Sequence, residues 1–542
     1  MHQPNRRQFI QHAAAASLVT IACRSVSAEI TRAEHSPFRV IYSNDTTHIL
    51  SCQRPEDRTE FTDDLLRQSI LEAAGSDAHF LQPGLGWRPW WPSKIYSAED
   101  HYAWLQDKHG IKGVPVIGQY LLNGGDMLAT LVDTCQTMGV KPFLSYRLND
   151  GHHVRQLAES LKQAKPKQNM ARHYWENYER FRIGPDTVEW DDGVFDWSNP
   201  EVRNYKFSLI EEACTNYDLA GLELDFLRHW IRFGPDTKPE KRFEITTAFV
   251  QRIRAMLDRT AVSRGLPRRW LCVRVPANAS VRPEQGVDLA ELTRAGVDMI
   301  NLSHSYFTWQ DDSVSRAREE VGSQPAIYAE MTHTTMTGRA TAGSGTQPYL
   351  RTTAQQFYTT ARLGYEQGAQ GVSIFNFPYY RYHVTDTIGP FHEPPFQVLP
   401  KLKDRKFLAR QSQWYFLSSG RKDRILGERT LPAILQSSHP QVFKMEMAPR
   451  AQHQGDGVLR LRSDESIADR EIDVRFNGET IDRIAHVEKP LPHPEEVWLG
   501  TADEHACYAI PCSAAIRGTN RVEITVKKGI RVRLTYLEVT LP

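Results

Sequence analysis

Glu223 and Asp225 stand two positions apart in the run Gly221-Leu-Glu-Leu-Asp-Phe-Leu-Arg-His-Trp230, among apolar residues. Burying a carboxylate is unfavourable unless the group is paired or used in chemistry. Side chains alternate faces along a strand, so the two acids share one face and Leu222, Leu224 and Phe226 the other. A third acid, Glu330, lies in a second short apolar run, Ile327-Tyr-Ala-Glu-Met-Thr332. Two carboxyls on separate strands of one barrel face suit cleavage of a glycosidic bond. One is protonated and releases the leaving oxygen; the other is ionised, attacks or activates water, and stabilises oxocarbenium-like charge. Repulsion and unequal burial can hold two such acids apart in acidity. Asp225, Glu330 and the deeper Glu223 are the catalytic candidates. The competing expectation is an ion network in which the acids pair with Arg147, Arg228 or Arg274.

Other strand ends and loops supply candidate substrate contacts: Asp45, Arg147, Asp150, Arg228, His229, Asn278, His304, Tyr306, Asn376, Tyr379 and Tyr380. The stretch Gly84-Leu-Gly-Trp-Arg-Pro-Trp-Trp-Pro-Ser-Lys-Ile-Tyr96 places Trp87, Trp90 and Trp91 in a Gly/Pro-rich loop. Loop tryptophans have less core to fill than helical ones, so a stacking platform over the barrel mouth is expected. Arg88, Arg147, Arg228 and His304 would suit an anionic glycan. His152 and His153 have no third ligand at a set spacing, so no metal is expected, and no cofactor.

These residues must be held by something regular. From about residue 38 to 420 the chain alternates amphipathic helices with short apolar strands that end in polar residues. Eight strands are legible: FRVIYSNDTT, HFLQPGLGW, KPFLSYRLND, GLELDFLRH, WLCVRVPAN, MINLSHSYF, AIYAEMTH and GVSIFNFPYYR. Alternation of this kind argues for βα units and a parallel sheet. Eight such units close most simply into an α/β (β/α)8 TIM barrel over residues 37–420, with an open doubly wound sheet as the alternative. Insertions follow the second strand (from Trp87) and the third (from Asp150), on the side where such barrels build sites. Ser198-Asn199-Pro200 has the cap residue and early proline of a helix start. Past residue 420 the helical rhythm gives way to alternating strands, so residues 425–542 read as an antiparallel β-sandwich.

The 542 residues carry 66 Lys+Arg against 65 Asp+Glu, which argues against a nucleic-acid partner. Residues 1–28 read as a twin-arginine export signal: Arg6-Arg7, a weakly apolar stretch, then Val26-Ser27-Ala28 as a cleavage site. That predicts a periplasmic or secreted protein. No other stretch is long and apolar enough for a membrane span. The cysteines show no metal spacing and read as buried thiols, although Cys507 and Cys512 could pair outside the cytoplasm. The sequence leaves the oligomeric state open.

The segment DWSNPEVRNYKFSLIEEACTNYDLAGLELDFLRHW resembles a stretch of bacterial glycosyl-hydrolase-like (β/α)8 barrels, closely over about 35 residues. The resemblance implies a secreted enzyme acting on a polysaccharide or oligosaccharide, with Asp225 as a prime catalytic candidate. The spacing Gly221-x-Glu223-x-Asp225-x-x-x-His229 also looks like strand 4 of alpha-amylases, but the fifth strand lacks their glutamate. Glu330 resembles the nucleophile position of clan-A retaining glycosidases, which implies Asp225 as acid/base and Glu330 as nucleophile, with the reverse assignment open. The C-terminal sandwich resembles their accessory β-domains and is expected to buttress the barrel. A barrel that binds glycan without catalysis is the alternative. A lysine Schiff-base lyase is disfavoured, since no lysine lies near a predicted strand C-terminus except Lys94 in a loop.

Overall fold

The computed structural model describes residues 36–45, 49, 52, 60–84, 88–185, 190–227, 229–336, 349–381, 392–418, 430–436, 439–449, 455–487, 501–511, 513–527 and 531–542. The export signal, Trp87, Arg228, Trp498 and Cys512 lie outside them.

All eight expected strands form, as β1 (Val40–Asp45), β2 (Ala78–Gln82), β3 (Lys141–Arg147), β4 (Gly221–Asp225), β5 (Trp270–Pro276), β6 (Met299–Ser303), β7 (Ala326–Thr332) and β8 (Gly371–Phe375). Every neighbouring pair is parallel, and β8 pairs with β1, so the sheet is a closed barrel. The open-sheet alternative is therefore excluded.

The helices begin and end where local chemistry dictates. Asn199 caps α6 (Pro200–Asn216) by accepting from Glu201 N, with Pro200 in the first turn, where no amide hydrogen is needed. Asp126 caps α4 (Met127–Met138), which stops at Gly139 in the left-handed conformation. Met127, Leu128, Leu131 and Cys135 on α4 are buried, as are Phe249, Ile253, Met256 and Leu257 on α7 (Pro239–Ser263). A further barrel helix, α10, spans Ala354–Glu366. No helix among the described residues is long and apolar enough to cross a membrane.

The barrel interior is layered. Its lower end is apolar, filled by Ile41, Phe80, Phe143, Cys272, Met299 and Tyr328, with the Phe80 and Phe143 rings stacked at 4.3 Å. Polar side chains begin only above that plug. Gly221 opens β4 beneath them, and a Cβ there would run into the Phe143 ring and the Trp270 carbonyl. Gly221→Ala is expected to lower stability by about 1–3 kcal/mol through overpacking, read as a shifted urea midpoint with an unchanged slope.

The C-terminal domain is two antiparallel sheets around an apolar core. The Asn477-Gly478 turn has positive φ at both residues, as a tight hairpin requires. One boundary differs from the sequence expectation. Gln413–Ser418 pairs with the terminal strand Arg531–Leu541, so it belongs to the sandwich although it precedes residue 420. The reason is that this strand directly follows the last helical turn, with no Gly/Pro break to mark the passage. It is also where the domains join. Gln310 donates to the Trp414 carbonyl at 3.1 Å, and the Trp414 amide donates to Thr359 Oγ1 on α10 at 2.8 Å. Tyr508 and Tyr536 are buried, so they form no exposed strip for sugar stacking. Cys52, Cys135, Cys214, Cys272 and Cys507 are buried free thiols.

Candidate active site

Strand register sets the charged layer. Arg147 on β3 pairs with Asp225 on β4, and Asp225 with Arg274 on β5. Paired residues of a parallel sheet point to the same face, so three side chains of alternating charge enter the barrel side by side.

Arg274 is the hub. Its Nε donates to Glu330 Oε2 at 2.6 Å and its Nη2 to Glu330 Oε1 at 2.7 Å, a two-pronged grip. Its Nη1 reaches Asp225 Oδ1 at 3.1 Å and Oδ2 at 3.3 Å. Nη2 also meets Ser303 Oγ at 3.0 Å, and the Phe375 ring centre lies 4.0 Å from the guanidinium. Asp225 and Glu330 thus meet on one guanidinium, from strands three apart in the barrel. Arg147 binds Asp150 Oδ2 at 2.8 Å, grips Asp45, and lies 3.9 Å from Asp225 Oδ2. The layer is dry: Arg147 is 1 % exposed and Arg274, Asp225 and Glu330 each 2 %.

Four carboxylates, of Asp45, Asp150, Asp225 and Glu330, therefore face two guanidiniums at the C-terminal end of the barrel. Negative charge is in excess there. The ion-network expectation is met in its geometry through Arg147 and Arg274. The two acids differ within it. Glu330 accepts from Arg274 on both oxygens, from Ser303 Oγ on Oε1 and from Asn301 Nδ2 on Oε2 at 3.2 Å. Asp225 anchors Oδ1 on Arg274 and on the Leu227 amide at 2.9 Å, whereas among the described residues its Oδ2 has only the two longer approaches given above. Asp225 Oδ2 is the less committed oxygen.

Glu223 lies one layer deeper and fully buried. It accepts from Ser145 Oγ at 2.7 Å and from Asn301 Nδ2 at 3.3 Å, with Cys272 Sγ at 3.7 Å. Burial, and then the charge of Asp225, pushes its carboxyl up to about 7 from an ordinary 4.5. The folded state thus binds more protons than the unfolded one between those values. The contribution of Glu223 to stability therefore falls as pH rises from about 4.5 through 7. Glu223→Gln is expected to remove that fall, so its urea midpoint gains on the wild type between about pH 5 and about pH 8. Parallel midpoint curves would contradict it.

At the rim, Asp150, His152 and His229 bring three potential ligand atoms within 4.8 Å of one another. His152 Nδ1 is 2.6 Å from Asp150 Oδ1, and His229 Nδ1 accepts from the Gly151 amide at 2.6 Å. Burial alone would raise the Asp150 carboxyl, but His152, Arg147 and His229 hold it well below the usual range. A metal-bound imidazole normally donates from its second nitrogen. His229 instead accepts at Nδ1, which puts its proton on Nε2, so the trio reads as a hydrogen-bond cluster. His229 also sits at φ 61, a conformation rare outside glycine. The sequence reading set His152 aside. Its signal was the pairing of β3 with β4, which brings the loops after both strands together.

The remaining candidates divide. Asn376, at the end of β8, has φ 56 and is fully buried, and its amide atoms have no hydrogen-bond partner among the described residues. His304 is buried, stacks on Trp309 at 5.9 Å and lies 3.5 Å from Asp311. Tyr306 is half-buried beside them. Tyr379 is half-buried and packs on His333 at 5.1 Å. Three expectations need correction. Tyr380 is buried with its hydroxyl on the Thr352 carbonyl, because the chain turns into a short 3-10 helix directly after β8. Asn278 caps the 3-10 helix Ala279–Gln285 by accepting from Ser280 N at 3.1 Å. Trp91 forms no platform over the mouth. It is buried, and its Nε1 donates to Glu212 on α6 at 3.1 Å, since Glu212 also takes Ser93 Oγ and the Lys94 amide and pins the loop to the barrel's flank. Trp90 is buried too, against a cavity described below.

No family model and no curated protein matches this chain. Among solved structures it is similar to the glycoside hydrolase domain of PgaB (BpsB) from Bordetella bronchiseptica. The identity is 10% and the TM-score 0.39, over 64% of this chain and 96% of that one. It is similar to a glycoside hydrolase family 18 N-acetylglucosaminidase from Paenibacillus barengoltzii at 12% identity and TM-score 0.36, over 67% and 99%. An alpha-L-fucosidase of family GH29 from Bacteroides thetaiotaomicron follows at 9% and 0.35, over 90% and 92%. These neighbours are glycoside hydrolases. At such scores the likeness carries no argument about activity, and the barrel stands on its own strand order.

Proposed function

We propose that the chain is an exported glycoside hydrolase that cleaves O-glycosidic bonds of a polysaccharide or oligosaccharide by a retaining route. The observation that carries this reading is the excess of carboxylates over guanidiniums at the C-terminal end of a closed barrel. Glycoside cleavage develops positive charge on the sugar ring, and fixed anions in a dry site stabilise it. Asp225 is the nucleophile, since its Oδ2 is the less committed oxygen. Glu330 is a positioning residue that fixes Arg274, and through it Asp225. Asp225 thus takes the role expected of Glu330, and Glu330 takes neither of the two chemical roles expected from sequence. At the rim beside this layer, His152 is 31 % exposed and held on Asp150.

The saturation of Glu330 favours a second reading, a barrel that binds glycan without turnover. Release of reducing ends from a panel of plant, algal and bacterial polysaccharides separates the two. The hydrolase reading expects release by the wild type and none by Asp225→Asn. Saturable binding with no release from any polymer favours the second.

A further inference from the structure

A cavity of about 510 Å³ lies between the two long insertions, lined by Arg88, Trp90, Pro115 and Ile117 from one and Gln156, Lys167, Gln168 and Asn169 from the other. Its volume is that of a site for a small ligand. Among the described residues its lining holds two cations, Arg88 and Lys167, and no carboxylate.

Arg88 is the unusual member. It is 8 % exposed, yet no carboxylate pairs with it among the described residues. Both of its hydrogen bonds leave from Nη1, to Tyr102 Oη at 3.2 Å and the Gln168 carbonyl at 3.3 Å. Nε and Nη2, the edge that takes a carboxylate or sulfate with two parallel bonds, make none among the described residues. A guanidinium this buried is favourable only when its charge is met. Arg147 and Arg274 show what that looks like in this chain, and both are already occupied by acids. An anionic substituent would be repelled by the acid layer there, so Arg88 is the place for it.

The rest of the lining suits a sugar. Trp90 offers an indole face to a ring. Lys167 adds positive charge, shared with Glu159 at 3.2 Å.

We propose that this cavity binds a saccharide unit bearing a carboxylate or sulfate, with Arg88 as its charge anchor and Trp90 as its ring face. The word saccharide rests on the hydrolase reading; the anion site does not.

Calorimetric titration of full-length Asp225→Asn protein with a uronate trisaccharide, a sulfated galactose trisaccharide and a neutral galactose trisaccharide tests it. At least one charged trimer is expected to bind on the order of tenfold tighter than the neutral one, and whichever does so names the substituent. Arg88→Gln is expected to remove that advantage, and Arg88→Lys, which keeps charge but not the fork, to restore part of it. Equal binding of all three, no saturable binding of either charged trimer, or an Arg88→Gln affinity within about twofold of the parent overturns the proposal. Binding of a charged trimer by a wild type that hydrolyses nothing would sink the hydrolase reading and leave the anion site standing.

Discussion

Asp225→Asn is expected to lower turnover by about a thousandfold or more, equivalent to about 4 kcal/mol of transition-state stabilisation, with the fold intact. The second half of that statement follows from the geometry. An asparagine oxygen can keep the Oδ1 bonds to the Leu227 amide and Arg274 Nη1. The amide nitrogen then falls where, among the described residues, Oδ2 has only approaches of 3.3 Å and 3.9 Å to cations. The layer also holds more acids than guanidiniums, so removing one negative charge relieves repulsion. A melting temperature equal to or above that of the wild type is therefore expected alongside the lost activity. That combination marks a residue kept for chemistry against the interest of stability. Asp225→Ala adds the mechanistic test. Azide can occupy the space left by a nucleophile, so restored turnover with a glycosyl azide product is expected for a retaining route. If Asp225→Asn hydrolyses its polymer at the wild-type rate, the assignment is wrong.

The reach of sequence differs between fold and site for a physical reason. Strand alternation is repeated eight times, and each repeat is fixed by local periodicity, so all eight barrel strands could be located. The position of Asp225 near the mouth also followed, because face alternation is a local rule. What the acids touch did not follow. Arg274 bonds to both Asp225 and Glu330 only because barrel register brings β5 beside β4 and lets its long side chain reach β7. The tryptophan loop failed in the same way. Nothing local tells Trp91 that Glu212, some 120 positions later, will collect Trp91 Nε1, Ser93 Oγ and the Lys94 amide and fold that loop onto α6. Asn278 was read as a ligand contact by its place at a strand end, where a cap residue is equally at home. Gln413–Ser418 was assigned by proximity to the barrel, whereas its partner is the final strand of the chain.

Arg274→Met is expected to destabilise the chain by roughly 3–5 kcal/mol, more than any other single change argued above. Methionine fills much of the arginine's volume against Phe375, so the loss is electrostatic rather than steric. Two carboxylates then lie in a dry barrel with their shared counter-ion gone. Glu330 is affected most, because it loses the two shorter bonds, of 2.6 Å and 2.7 Å, whereas those to Asp225 are 3.1 Å and 3.3 Å. A second substitution separates the abandoned charge from the lost contact. Arg274→Met combined with Glu330→Met removes both ends of the grip and leaves no orphaned acid at residue 330. Its urea midpoint is expected to recover toward the wild type, so that the two single losses exceed the double loss by about 1–3 kcal/mol. Activity is expected to behave differently. The double variant regains stability but not turnover, because Asp225 still lacks the guanidinium that holds its Oδ1. Recovery of both together would mean that Arg274 serves only the barrel's stability, and Asp225 would then owe its placement to the Leu227 amide and Arg147 alone.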